Sequence, residues 1–220
     1  SAGGTYRELD FVYDIEQLVR LRGFDKITIV GHSFGGFVSL IYAGLNPDIV
    51  DKMIIIEGLV RSVEDFNKRL AEPTHQRIKR WMEGIHKVSS RHPKRYRTFA
   101  EALDRMRSEN SHLNEQQATH LTRHALKQNE DGSYSWKYDN YIRLPFVDSE
   151  YIDLFSLWQR ISCPILLLRG EDSWADDPEK DGRIKLFQNA RLVNIPNAGH
   201  WLHHDQLEIF LNTAKAFLQE

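Results

Sequence analysis

The sequence predicts an α/β fold, a mostly parallel sheet flanked by helices and carrying a mainly helical insertion, and three observations lead to it. Short continuous apolar runs at 27–30, 53–56, 164–168 and 192–195 are separated by stretches of helical periodicity, as expected of parallel strands buried on both faces and their crossover helices. That rhythm breaks off near Val60 and resumes near Arg160, with helical patterning between. Ser33, Glu57, Asp172 and His200 follow the four runs at the carboxyl edge, where open α/β sheets hold their ligands.

In chain order, Leu9, Val12, Ile15, Leu18 and Val19 share one face of a helix over 6–21, and Gly23 stops it. Ile27–Val30 is a strand; Phe34 to Leu45 is a helix apolar around most of its circumference, ended by Asn46-Pro47. Met53–Ile56 is the next strand. In the insertion, Ile78, Trp81, Met82, Ile85 and Val88 make one stripe, Thr98 to Glu101 reads as a capping box for a helix through Met106, and 114–127 reads as another helix. The turn Glu130-Asp131-Gly132 precedes alternating Tyr134, Trp136 and Tyr138, one arm of a hairpin; 151–161 is the last insertion helix. A strand at 164–168, a short helix at 183–188, a strand at 192–195, a loop at 197–200 and a helix over 205–218 complete the chain. Residues 1–59 and 161–220 are thus expected to form the core and 60–160 the insertion.

The 220 residues carry a formal charge of −2, which gives no general argument for nucleic acid or a membrane as partner. Between Arg61 and Ala100, however, 11 Lys and Arg face 4 Asp and Glu, interleaved with apolar residues at helical spacing, which reads as a solvated basic helix face. The only cysteine, Cys163, excludes an internal disulfide and suits a reducing, cytoplasmic compartment. No stretch is long and apolar enough to span a bilayer, and no signal peptide is visible.

The chemistry centres on Gly31-His32-Ser33-Phe34-Gly35, a Gly-x-Ser-x-Gly pentad between a strand and a helix. There a serine sits on a sharp turn, Gly31 and Gly35 leave room for close backbone passage, and the N–H of Phe34 at the helix start can donate to an oxyanion. A serine needs a base, and an imidazole works best when a carboxylate fixes its tautomer. The order Ser, acid, His, with Gly31-His32-Ser33-Phe34-Gly35-Gly36 and Gly199-His200-Trp201-Leu202-His203-His204, resembles the α/β-hydrolase superfamily through essentially the whole chain, including a helical cap.

That resemblance implies Ser33 as nucleophile and His200 as base. The family's usual acid position, three residues beyond Gly170, is Ser173 here, so the acid is either Asp172 or Glu57; Glu57 is favoured because a glutamate ending an aliphatic strand needs a reason to be there. His32, Phe34, Leu59, Trp174 and Trp201 are expected to line an apolar substrate pocket. No metal is expected at His200, His203 and His204 or at His120 and His124, and no cofactor. The implied activity is a serine hydrolase acting on a small or medium ester or related acyl compound; a carbon–carbon or amide hydrolase, or a non-catalytic binding protein or inactive fragment, are the alternatives. Only 32 residues precede Ser33, and Ser1-Ala2-Gly3-Gly4 resembles the tail of a Gly-His-Gly-x-Ser oxyanion loop, so the resemblance implies that N-terminal strands are missing.

Overall fold

A computed structural model describes residues 6–59, 62–144 and 153–220; Ser1-Ala2-Gly3-Gly4, Val60, Arg61, Tyr151 and Ile152 lie outside them. The chain forms two compact units, one of Arg7–Pro73 with Phe146–Glu220, the other of Ser1–Tyr6 with Thr74–Pro145.

The first unit holds the sheet. Its elements are α1 (Glu8–Arg22), β1 (Ile27–His32), α2 (Phe34–Leu45), β2 (Val50–Ile56), α3 (Val63–Ala71), α7 (Leu154–Gln159), β5 (Ile165–Gly170), β6 (Ala190–Ile195), α8 (Leu202–Asp205) and α9 (Leu207–Gln219). The four strands run parallel in the order β1-β2-β5-β6, with Ile56 opposite both His32 and Leu168. This register puts the ends of β1 and β2 level with one another, with β5 running on two residues further to Gly170. Leu40, Ile41, Met53 and Ile165 pack one side of the sheet together with α7, where Trp158 stacks on Phe187 at 5.3 Å; Ile54, Ile56, Leu166, Leu168 and Phe217 pack the other under α9. Two buried layers explain why the central stretches of β2 and β5, Met53–Ile56 and Ile165–Leu168, are apolar at every position. β1, which pairs only with β2 among the described residues, differs: its Val30 is 54% exposed.

Helix ends follow local chemistry. Gly23 takes the left-handed conformation that closes α1. The expected last helix is α9, and a short extra helix, α8, precedes it: Gln206, at φ −130° and ψ 59°, separates the two, so the chain turns just past His200 before running back along the sheet. The expected helix over 183–188 is a 3-10 turn over Arg183–Leu186.

The second unit contains α4 (Thr74–Ser89), α5 (Phe99–Glu109), α6 (Glu115–Ala125) and a hairpin of β3 (Leu126–Gln128) with β4 (Tyr134–Trp136). Thr98 caps α5 by accepting the Glu101 N–H at 3.2 Å, but the Glu101 carboxylate reaches the N–H of Arg97 instead of Thr98, so the box is shifted by one residue. Asn114 and Gln117 make the reciprocal box at α6. Helix α6 stops at Ala125 because 126–128 pair with β4, giving the hairpin arm at Tyr134 and Trp136 its partner. Tyr96, Ala102 and Leu126 form this unit's small core.

Candidate active site

β1 delivers Ser33 into a turn that few side chains tolerate. The residue has φ 52° and ψ −121°, its N–H donates to Ile56 O at 2.8 Å, and its carbonyl accepts from Phe37 N at 3.0 Å as α2 begins. A positive φ at a non-glycine residue costs about 1–3 kcal/mol. Close packing offsets it: a Cβ on Gly31 would meet Gly36 Cα at 2.8 Å, and one on Gly58 would meet Gly36 Cα at 2.9 Å and Ile55 Cγ2 at 2.6 Å. The pentad reading is corrected here, because a Cβ on Gly35 meets nothing within 4 Å. The close approach belongs to Gly31, Gly36 and Gly58.

β2 ends in a matching turn. Glu57 has φ 52° and its N–H donates to Leu168 O at 2.9 Å. Its side chain is fully buried. Gly170 N–H donates to Oε1 at 2.7 Å and the Ser173 hydroxyl donates to Oε2 at 2.7 Å.

Beyond β6, Asn197 at φ 51° turns the chain so that Gly199 N–H reaches Asp205 at 2.9 Å and His200 swings back over the strand ends. His200 Nε2 lies 2.8 Å from Ser33 Oγ and Nδ1 lies 3.4 Å from Glu57 Oε2. With Nδ1–H donated to the carboxylate, Nε2 is the acceptor for the serine proton. Ser33, His200 and Glu57 therefore form one hydrogen-bonded line, while Asp172 lies exposed on its loop with its N–H on Ala198 O at 3.0 Å.

The other residues singled out from the sequence are dispersed. His32 Nε2 is 2.8 Å from the carbonyl of His200, so this ring, expected among the pocket residues, also holds the loop of His200. Burial holds the His32 imidazole below its ordinary range, which keeps it neutral and leaves Nε2–H to donate. Phe34 is the first residue of α2, so its N–H belongs to the positive end of that helix; its ring sits edge-on to Phe11 at 5.0 Å. Phe34 and His32 line a cavity of about 420 Å³ with Phe11, Ile15 and Val38, whereas Leu59 lines a separate crevice of about 20 Å³ beside Glu57. Trp174 is 74% exposed with its ring 4.9 Å from the imidazole of His200, and Trp201 faces His204 at 5.9 Å.

Two supporting residues had no role in the sequence reading. Ser173, noted there only as a departure at the family's acid position, hydrogen-bonds the glutamate. Arg183, fully buried, pairs with Asp181 at 2.7 Å and donates to Leu59 O at 2.7 Å and Asp176 O at 2.9 Å, tying the loop after β5 to the chain just past Glu57. The run of acids at 176, 177 and 181 around a lone arginine was the available signal. Among the described residues no group of His, Cys, Asp or Glu is arranged to hold a metal, and no helix is long and apolar enough to cross a membrane. Burial pushes the Cys163 thiol up to about 11, as suits a packing residue.

The alpha/beta hydrolase fold family matches residues 1–207. Esterase YbfF of Escherichia coli is 24% identical over 211 residues, covering 94% of this chain and 73% of the esterase. Human serine hydrolase-like protein 2 is 25% identical over 240 residues, covering 100% and 73%. The mouse sn-1-specific diacylglycerol lipase ABHD11 is 22% identical over 212 residues, covering 93% and 63%, so the chain spans about two thirds to three quarters of these relatives. Among solved structures, a Mycobacterium tuberculosis esterase superposes with a TM-score of 0.77 at 19% identity over 100% of this chain and 72% of that one. E-2-(acetamidomethylene)succinate hydrolase does so with a TM-score of 0.75 at 18% identity, over 99% and 75%.

Proposed function

Because the chain belongs to the alpha/beta hydrolase fold family, we propose that it serves as a serine hydrolase cleaving a small or medium carboxylic ester, or a related acyl compound, through an acyl-enzyme. The observation that carries this reading is the 2.8 Å approach of His200 Nε2 to Ser33 Oγ, with Glu57 behind the other ring nitrogen. Ser33 Oγ attacks the acyl carbon as its proton passes to Nε2, and the Phe34 N–H stabilises the oxyanion. The tetrahedral adduct collapses, the leaving alcohol takes the proton from His200, and an acyl-serine remains. Water then attacks that ester with His200 again as base, releasing the carboxylic acid and restoring Ser33. Glu57 stays ionised throughout; it holds the tautomer and stabilises the imidazolium. These steps use the chain's own side chains and water.

The relatives' names agree in class, being an esterase, a serine hydrolase-like protein and a lipase. Mouse epoxide hydrolase 4 also matches, at 23% identity. A serine at the elbow favours acyl transfer over epoxide opening, which needs a carboxylate nucleophile. The test is labelling with a fluorophosphonate probe beside turnover of a nitrophenyl ester series. Labelling at Ser33 that is lost in Ser33→Ala, together with ester turnover, supports the reading; an active protein that the probe leaves unlabelled overturns it.

A further inference from the structure

From the hydrogen bonds around Glu57 we infer that Ser173 is a positioning residue of the site, its hydroxyl fixing the plane of the Glu57 carboxylate that receives His200; this inference rests on the hydrolase reading above. The proton count makes the assignment. Ser173 Oγ accepts the N–H of Ala175 at 3.2 Å, and its single hydrogen is then committed to Glu57 Oε2 at 2.7 Å. A carboxylate held by one oxygen rotates about its terminal bond, which is a soft, two-fold torsion. Held by Gly170 N–H on Oε1 and Ser173 O–H on Oε2, it has both oxygens anchored, and Oε2 is the one that faces His200 Nδ1.

The anchor is itself built in. Ser173 N–H donates to Gly170 O at 3.1 Å, which closes a tight turn straight off β5. The buried Arg183 side chain donates to both Asp176 O and Leu59 O, so the loop carrying Ser173 and the chain following Glu57 are held to each other. The 3.4 Å separation between Nδ1 and Oε2 is longer than the two anchoring bonds. A long final link makes the preset orientation of its acceptor matter more, since a small rotation of the carboxylate would take Oε2 out of reach.

The test measures the rate of fluorophosphonate labelling at Ser33 across pH, with the His200 imidazole titration followed by NMR. Ser173→Ala is expected to lower the plateau labelling rate about tenfold, the scale of one hydrogen bond to a charged group. It is also expected to move the half-maximal pH downward, because a less well held carboxylate supports the imidazolium less. Ser173→Thr, which keeps the hydroxyl, is expected to restore both. A residue that merely packs the loop would change the melting temperature and leave the pH midpoint where it was. An unchanged midpoint in Ser173→Ala, or a folded Ser173→Thr that fails to restore it, overturns the inference. Should Ser173→Ala melt below the assay temperature, Ser173→Cys, a much weaker donor of similar shape, takes its place. Failure of wild-type Ser33 to label would sink the hydrolase reading alone, since the NMR midpoint still decides the role of Ser173.

Discussion

Two neighbouring strand ends make the same unusual turn for different purposes. β1 ends at Ser33 and β2 at Glu57; both residues have φ 52°, and both send their N–H to the next strand, at 2.8 Å and 2.9 Å. Asn197, past β6, is the third non-glycine residue with positive φ among the described residues. All three lie at the carboxyl edge of the sheet. The turn at Ser33 lifts a short side chain into reach of the imidazole, whereas that at Glu57 tucks a longer one beneath it, fully buried. Backbone strain is thus spread over the strand ends, and the packing of Gly36 against Gly58 lets the first two turns lie against each other.

The largest effects separate the two turns by chemistry. Ser33→Ala removes the proposed nucleophile and is expected to abolish covalent labelling outright. Glu57→Gln keeps the shape of the second turn and its bond from Gly170, yet costs the negative charge opposite Nδ1. Hydrolysis is expected to fall by about three to four orders of magnitude, with the fold retained by circular dichroism. A loss of less than about tenfold in Glu57→Gln would break the pairing, and would move attention to Asp172.

The first turn was legible in the sequence and the second only partly. Ser33 announces itself because one local pattern encodes strand, turn and helix together, and His200 because its loop follows the final strand. Glu57 could be favoured over Asp172 from its place at the end of an aliphatic strand but Asp172 stayed open, since the choice depends on which strand lies beside which. The register that sets Ile56 opposite Leu168 brings Glu57 to Gly170 and Ser173, residues more than a hundred positions away in sequence. For the same reason the role of Ser173 was not readable, and Arg183 was signalled only by the acids around it. Strand boundaries erred where burial on one face is weak: β6 starts at Ala190, and β1 runs on through His32. The short helix α8 ahead of Gln206 was not expected, because four residues are too few to show an apolar period.

Glycine substitutions sharpen the comparison at the next scale. Gly36→Ala and Gly58→Ala each force a methyl into occupied space between the two turns, and each is expected to destabilise the protein by about 1–3 kcal/mol in urea unfolding while lowering the labelling rate. Gly35, the last residue of the pentad, has open space around it. Gly35→Ala is expected to leave labelling intact and to change stability by no more than about 1 kcal/mol, in the stabilising direction, because alanine suits the first turn of α2 better than glycine does. Equal costs at positions 35 and 36 would show that the pentad acts by sequence alone and not through the contact with Gly58.

The smallest expected effect lies in the histidines behind His200. His32 immediately precedes the first turn and His203 follows His200; their rings are 4.6 Å apart, and His204 lies 4.4 Å from His203 on its own short helix. Burial, with His32, His204 and His200 adding to it, lowers His203 to about 4, and burial lowers His32 as well. In the unfolded chain both titrate near 6.5. Between those values the unfolded chain binds more protons, so the stabilisation present above pH ~6.5 is lost as the pH falls toward ~4. Both rings are partly solvated, which limits the effect of His203 to on the order of 1 kcal/mol, or a few degrees in Tm. Carboxylates titrate in the same window, so the measurement is a difference: His203→Asn is expected to melt with a shallower pH dependence than wild type between pH 6.5 and 4. Parallel curves would mean that His203 takes up its proton without opening the fold.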